Sequence, residues 1–251
     1  MRSKIEMENR FLYIIILSSI VLICLVLNWN PSSVNLRTPK LAKTQVVKSS
    51  SIVLLGDSYC SGAGSTNLIN SWSSIFVARM GAHVINLCKG STGFVSEGTG
   101  LSGCGVQFCG NYRFNLSQLG VSNTPDLIII SGGRNDFSMS TKTISIALKE
   151  LIDYAQFKFQ RSKIILISPF WDSTDFPRIG KELKLIEERV AVARGVIFIN
   201  GAEDILKYRA DAISRDGIHP NDLGHRLIAE WVLRQFAELK LAPITLTAVP
   251  N

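Results

Sequence analysis

Histidine, proline and charged side chains are scarce in this chain. Three of its 251 residues are histidine, eight are proline and 19% are charged. With 46% hydrophobic residues and a mean hydropathy of +0.21, so little charge excludes an intrinsically disordered chain. The 19 glycines follow no fixed period, which with so few prolines excludes a collagen-like or proline-rich architecture. There is no internal repeat, and the five cysteines show none of the CxxC or Cys/His spacings of zinc sites. The length allows one medium domain with extras, or two small ones.

Acid is missing from one stretch in particular. Residues 28–50 contain no Asp or Glu and carry +4 of the formal net charge of +7, while residues 1–10 carry +1 and residues 51–251 only +2. The body is therefore close to neutral, and a nucleic-acid partner loses its electrostatic support.

Charge is absent altogether from residues 11–27, FLYIIILSSIVLICLVL. At about 1.5 Å per helical residue this run sits at the short end of what spans a bilayer, and Asn28 with Trp29 as an interfacial residue improves the fit. No small-x-small cleavage site follows, and the residues before Cys24 (Val21, Leu22, Ile23) lack the small residue of a lipoprotein signal. The expectation is an N-terminal basic segment (1–10), an uncleaved transmembrane signal anchor (11–29) and a solvated basic linker (30–50). Three Lys/Arg before the span and four after it leave its orientation open.

From residue 51 short apolar runs alternate with helical stretches. Strands are expected at Ser51–Gly56, His83–Leu87, Asp126–Ser131, Lys163–Ser168 and Val196–Asn200. Helices are expected at Leu68–Met80, around Ile144–Ala155, at Lys181–Arg194 and after Pro220, where Asn221 can cap. Strands apolar throughout and alternating with helices imply a parallel sheet covered on both faces. The fold class expected is a three-layer α/β sandwich with a central five-stranded parallel sheet, flavodoxin-like, over residues 51–242, followed by a tail at 243–251. Residues 88–112 read as a long loop rich in Gly, Ser and Cys, of the kind that often carries function.

In such a sheet the chemistry lies beyond the carboxyl ends of the strands. There the chain places Gly56-Asp57-Ser58, then Gly90-Ser91-Thr92-Gly93, then Gly132-Gly133-Arg134-Asn135-Asp136, and before the last helix Asp216-Gly217-Ile218-His219-Pro220. A serine nucleophile needs a base, a group that orients the base, and donors for an oxyanion. Of the three histidines, His83 begins a strand and His225 falls within the last helix, so both read as structural or exposed. His219 lies three residues after Asp216 in a loop, where a carboxylate can reach its ring. Asp57 and Asp136 read as hydrogen-bonding within their own turns, and Arg134 as a solvated loop residue.

Taken in order, GDS, a Gly-rich turn, GRND and DGIHP resemble the motifs of the SGNH/GDSL hydrolase superfamily over about residues 51–240. The resemblance implies Ser58 as nucleophile, Asp216 and His219 as the rest of a triad, and the Asn135 side chain as an oxyanion donor. It also implies hydrolysis of acyl esters, including those of lipids and acetylated glycans, with no metal or organic cofactor. One position departs from the pattern: the second-motif glycine falls at Ser91, with Gly90 just before it. Since the donor is a main-chain N–H, a serine can supply it if the backbone tolerates a side chain. The oxyanion donors expected are thus the N–H groups of Ser58 and of Gly90 or Ser91, with Asn135. An α/β-hydrolase would need G-x-S-x-G, which Gly56-Asp57-Ser58-Tyr59-Cys60 does not provide.

Four cysteines in the body, Cys60, Cys88, Cys104 and Cys109, permit two disulfides in three pairings. Cys60 and Cys88 each follow a strand expected to be a sheet neighbour, and Cys104 and Cys109 bracket a short loop, so Cys60–Cys88 and Cys104–Cys109 are the preferred pairs. With the anchor, they favour an extracytoplasmic domain. The reading is a membrane-anchored serine esterase or deacylase acting on a small-molecule, glycan or lipid acyl ester. An acyltransferase to a glycan hydroxyl uses the same machinery, and a non-catalytic binding module on the same fold is the alternative of another class.

Overall fold

The computed structural model describes residues 51–100, 104–120 and 124–241. The anchor and linker expected over residues 1–50 and the tail over 243–251 lie outside them. Among the described residues no helix is long and apolar enough to cross a membrane.

The strands in chain order are β1 (Ser51–Gly56), β2 (His83–Asn86), β3 (Gly98–Thr99), β4 (Phe108–Cys109), β5 (Leu127–Ser131), β6 (Lys163–Ile167) and β7 (Ile197–Ile199). The helices are α1 (Ser58–Ser61), α2 (Trp72–Met80), α3 (Tyr112–Ser117), α4 (Thr141–Lys158), α5 (Arg178–Arg194) and α6 (Asp222–Glu238). Five strands make one parallel sheet in the order β2-β1-β5-β6-β7. Side chains alternate across it. Ile52 and Leu54 of β1 join Trp72, Phe76, Ile228 and Phe236 from α2 and α6 on one face. Val53 and Leu55 join Leu116, Leu148, Ile152 and Val190 from α3, α4 and α5 on the other. Burial on both faces explains why the central strands are unbroken apolar runs. The chain moves outward from β1 to β2 and then returns to the far side of β1 as β5, so the strand order reverses between β1 and β5. The chain leaving β1 packs α2 on one face and the chain leaving β5 packs α4 on the other, which makes their carboxyl ends the switch point where such sheets hold ligands.

The five expected strands form, β1 over the expected residues and the other four trimmed by a residue or two where the backbone leaves the ladder. The helix expected over Leu68–Met80 is instead a 3₁₀ turn at Leu68–Asn70 followed by α2. Ser71 separates the two: its extended backbone lets its hydroxyl accept from the Ser74 N–H and cap α2. The helix expected from Lys181 begins earlier, at Arg178, directly after Pro177. The described parts of residues 88–112 contain regular structure. Gly98–Thr99 pairs antiparallel with Phe108–Cys109, and Asn111 caps α3, a helix not anticipated from its short apolar pattern.

Candidate active site

β1 ends at Gly56 because the chain turns sharply there. A side chain on Gly56 would run into the Ser131 carbonyl of β5 and the Cys60 side chain. Asp57 then caps α1, its Oδ1 accepting from the Tyr59 N–H at 3.0 Å. Ser58 becomes the first residue of that helix, half-buried, with an N–H that has no intrahelical acceptor. Burial is the main force on Asp57. It pushes the carboxyl up to about 7, against the lowering effects of the Tyr59 N–H and the Arg134 charge.

The connection before α6 brings a base to the same point. An isolated bridge between Ile213 and Pro220 closes this loop at its foot. Ser58 Oγ lies 2.9 Å from His219 Nε2, and His219 Nδ1 lies 2.7 Å from Asp216 Oδ2. Asp216 Oδ1 accepts from the N–H groups of Ile218 and His219 at 2.8 and 2.9 Å and from the Ser214 hydroxyl at 2.7 Å. Partial burial acts to raise the Asp216 pKa, but the hydrogen bonds from the His219 ring and these donors outweigh it and hold the carboxyl well below the usual range. An ionised Asp216 keeps the proton on Nδ1, which leaves Nε2 free to accept from Ser58.

At the end of β5, Gly133 with φ 103° starts a single 3₁₀ turn, Arg134–Asp136. Asn135 Nδ2 donates to the Thr92 carbonyl at 2.9 Å, which orients the amide and leaves its second hydrogen unused by that bond. Asp136 does not bond within its own turn as expected. Its carboxylate accepts from the N–H groups of Phe94, Val95 and Ser96 at 2.7, 3.2 and 2.7 Å and ties the two loops together. Ser91 takes a left-handed φ of 62°, whereas Gly90 does not. Among the described residues no backbone carbonyl accepts the N–H of Gly90 or Ser91.

The structure also sorts the remaining candidates. His83 is exposed. His225 is fully buried and neutral: Nδ1 accepts from the Trp72 N–H at 3.2 Å, Nε2 faces the Ala63 carbonyl at 3.0 Å, and burial lowers its pKa to about 4. Arg134 is not solvated as expected. It pairs with Asp172 at 2.9 Å, and its guanidinium lies 3.8 Å from the centre of the Trp171 ring. Sequence reasoning passed over Asp172 and Trp171. They follow β6 at the same carboxyl edge, and that position was the signal that could have found them. Disulfides join Cys60 to Cys88 and Cys104 to Cys109, the first linking α1 to the chain just beyond β2. Asn115, in an Asn-Leu-Ser sequon, is buried, and its side-chain amide donates to the Gly110 carbonyl at 2.7 Å. Among the described residues no group of three or more His, Cys, Asp or Glu side chains is placed to hold a metal ion.

Comparison with known proteins bears on the family and the fold. The model of the GDSL-like lipase/acylhydrolase family matches residues 54–227. A GDSL lipase of Mycobacterium tuberculosis, Rv0518, is 24% identical over 186 residues, spanning 72% of this chain and 79% of that protein. In fold, the chain is similar to the psychrotrophic esterase EstA from Pseudoalteromonas sp. (TM-score 0.61, 17% identity, 76% of this chain and 98% of that one). It is also similar to a family two carbohydrate esterase from Clostridium thermocellum in complex with cellohexaose (TM-score 0.59, 17% identity, 76% of this chain and 64% of that one).

Proposed function

Because the chain belongs to the GDSL-like lipase/acylhydrolase family and is accordingly a carboxylic ester hydrolase, we propose that Ser58, His219 and Asp216 carry its reaction. The observation that carries this reading is the continuous relay from Ser58 Oγ to His219 (2.9 Å) and on to Asp216 (2.7 Å). Ser58 Oγ attacks the ester carbonyl carbon while its proton passes to His219 Nε2. Charge develops on the carbonyl oxygen, within reach of the Ser58 N–H, the N–H of Gly90 or Ser91, and the free hydrogen of the Asn135 amide. His219 then protonates the leaving alkoxide, the alcohol departs, and the acyl group remains on Ser58. Water, deprotonated by His219, attacks the acyl-enzyme and releases the carboxylic acid. Asp216 holds the imidazole in the required tautomer and stabilises the imidazolium formed on the way.

The substrates assigned are short-chain or glycan O-acyl esters. A carbohydrate esterase built on the same fold supports the glycan end of that range. The enzyme is held at a membrane by residues 11–29 with its domain outside the cytoplasm, a reading supported by the uncharged apolar run and by the two disulfides of the body. A serine-directed fluorophosphonate tests the assignment. The parent protein should be labelled once, folded Ser58→Ala not at all, and His219→Ala very slowly. Normal labelling of Ser58→Ala would sink the triad. Protease added outside intact cells should digest the body; full protection together with four free thiols would place it inside.

A further inference from the structure

Tyr59, the residue after the proposed nucleophile, takes no part in proton transfer. Its side chain is 1% exposed, yet its hydroxyl is engaged twice. It donates to the Ile218 carbonyl at 2.6 Å and accepts from Arg134 Nη1 at 3.2 Å. The Ile218 carbonyl and the His219 N–H belong to one planar peptide unit. That unit is therefore held from both ends, by Tyr59 at its oxygen and by Asp216 Oδ1 at its N–H (2.9 Å).

Ile218 is 43% exposed and the Asp216 side chain 47%. The loop is closed at its foot by the Ile213–Pro220 bridge. Apart from the Ser58–His219 contact, the other hydrogen bonds of residues 214–219 stay within that segment. The phenol ring, by contrast, is immobilised. It stacks on Phe170 with centroids 6.3 Å apart and lies 5.9 Å from the His219 ring. Arg134, itself set by Asp172 and the Trp171 face, supplies the hydroxyl with a charged donor. This strengthens the bond the hydroxyl makes in turn.

We propose that Tyr59 is a positioning residue that sets His219 against Ser58 through the Ile218 carbonyl, and that Arg134 acts through Tyr59. The proposal rests on the triad reading above. It makes the residue beside the nucleophile the link by which a buried helix aligns an exposed base loop.

Tyr59→Phe keeps the ring and removes only the hydroxyl. With 4-nitrophenyl acetate and with a fluorophosphonate, kcat and the labelling rate should fall roughly tenfold, because small misplacements of a catalytic group are costly in rate. KM should stay within about twofold, since the loss falls on the chemical step rather than on binding. The melting temperature should hold. Arg134→Met should slow the parent enzyme but add nothing in the Tyr59→Phe background. Parent-level labelling by folded Tyr59→Phe, or a loss of rate that follows only a loss of stability, overturns the proposal. Multiplying effects of the two substitutions would overturn the role given to Arg134. Should Tyr59→Phe not fold, Arg134→Met alone must still slow labelling at unchanged KM, and parent-rate labelling by it overturns the proposal. Ser58→Ala run in parallel separates the cases: if it labels normally the triad itself is wrong, and if it does not, a normal Tyr59→Phe condemns only the clamp.

Discussion

Asp57 beside the proposed nucleophile and Asp216 beside the proposed base stand at the same sheet edge, yet their surroundings push them in opposite directions. Asp57 is 3% exposed and burial lifts its carboxyl to about 7. The Asp216 side chain is 47% exposed, and hydrogen bonds hold it well below the usual range. The nucleophile turn is thus a piece of the core, capped, disulfide-linked and desolvated. The base loop is a surface feature held by its own hydrogen bonds and by Tyr59. A rigid nucleophile and a tethered base meet at one 2.9 Å contact, and each side fails differently.

The contrast breaks most strongly at Asp57. Its folded pKa, about 7, lies above the unfolded value of 3.8, so its contribution is fully present below 3.8 and is lost as pH rises through 7. Asp57→Asn keeps an oxygen for the Tyr59 N–H but does not titrate. Relative to the parent, its unfolding free energy should rise by on the order of 4 kcal/mol between pH 4 and 8. Denaturant titrations at several pH values check this, and a pH-independent difference would show that Asp57 is not desolvated.

Between the two regions stands Asn135, whose amide is aimed by Thr92. Asn135→Ala should lower kcat by about 10²–10³, or ~2.7–4 kcal/mol, with a smaller change in KM. Steady-state kinetics on an activated acetyl ester read it directly. An unchanged kcat would remove Asn135 from the oxyanion site.

On the nucleophile side, Cys60→Ala with Cys88→Ala opens a link across 28 residues of chain. The loss should be about 2–4 kcal/mol of stability, read as a lower melting temperature. The hydrogen bonds of the base loop go to its own residues, to Ser58 and to Tyr59, so residual labelling by the folded fraction should persist. Smallest is Ser91→Gly. The N–H survives and a strained left-handed position (φ 62°) is relieved, so stability should gain up to about 1 kcal/mol and kcat should change no more than several-fold. A loss as large as that of Asn135→Ala would mean that the Ser91 hydroxyl contacts the substrate or transition state.

Much of this was legible in the chain. Apolar runs such as Ile52–Leu55 and Ile128–Ile130 admit few places other than a two-sided core. Asp216-x-x-His219 is a weak signal by itself and gains weight only in order with Gly56-Asp57-Ser58 and the two motifs between them. The break at Ser71 was harder, because Leu68 and Ile69 look like helix-face residues and are in fact 67% and 71% exposed. α3 was missed because six residues are too few for a periodic signal. Arg134 was misjudged because its partner, Asp172, is 38 residues away in the chain.

Local pattern thus settled the α/β alternation, since hydrophobic period acts over a few residues, while Ser58 and His219 became candidates through the order of four motifs and the family they resemble. It could not decide which carboxylate is buried and which exposed, that Arg134 is paired, or that Tyr59 reaches the Ile218 carbonyl. Those depend on which strand ends converge at the reversal of strand order between β1 and β5. Desolvation and hydrogen bonding are set by neighbours in space, and Tyr59 and Ile218, 159 positions apart in the chain, become neighbours only once the protein has folded.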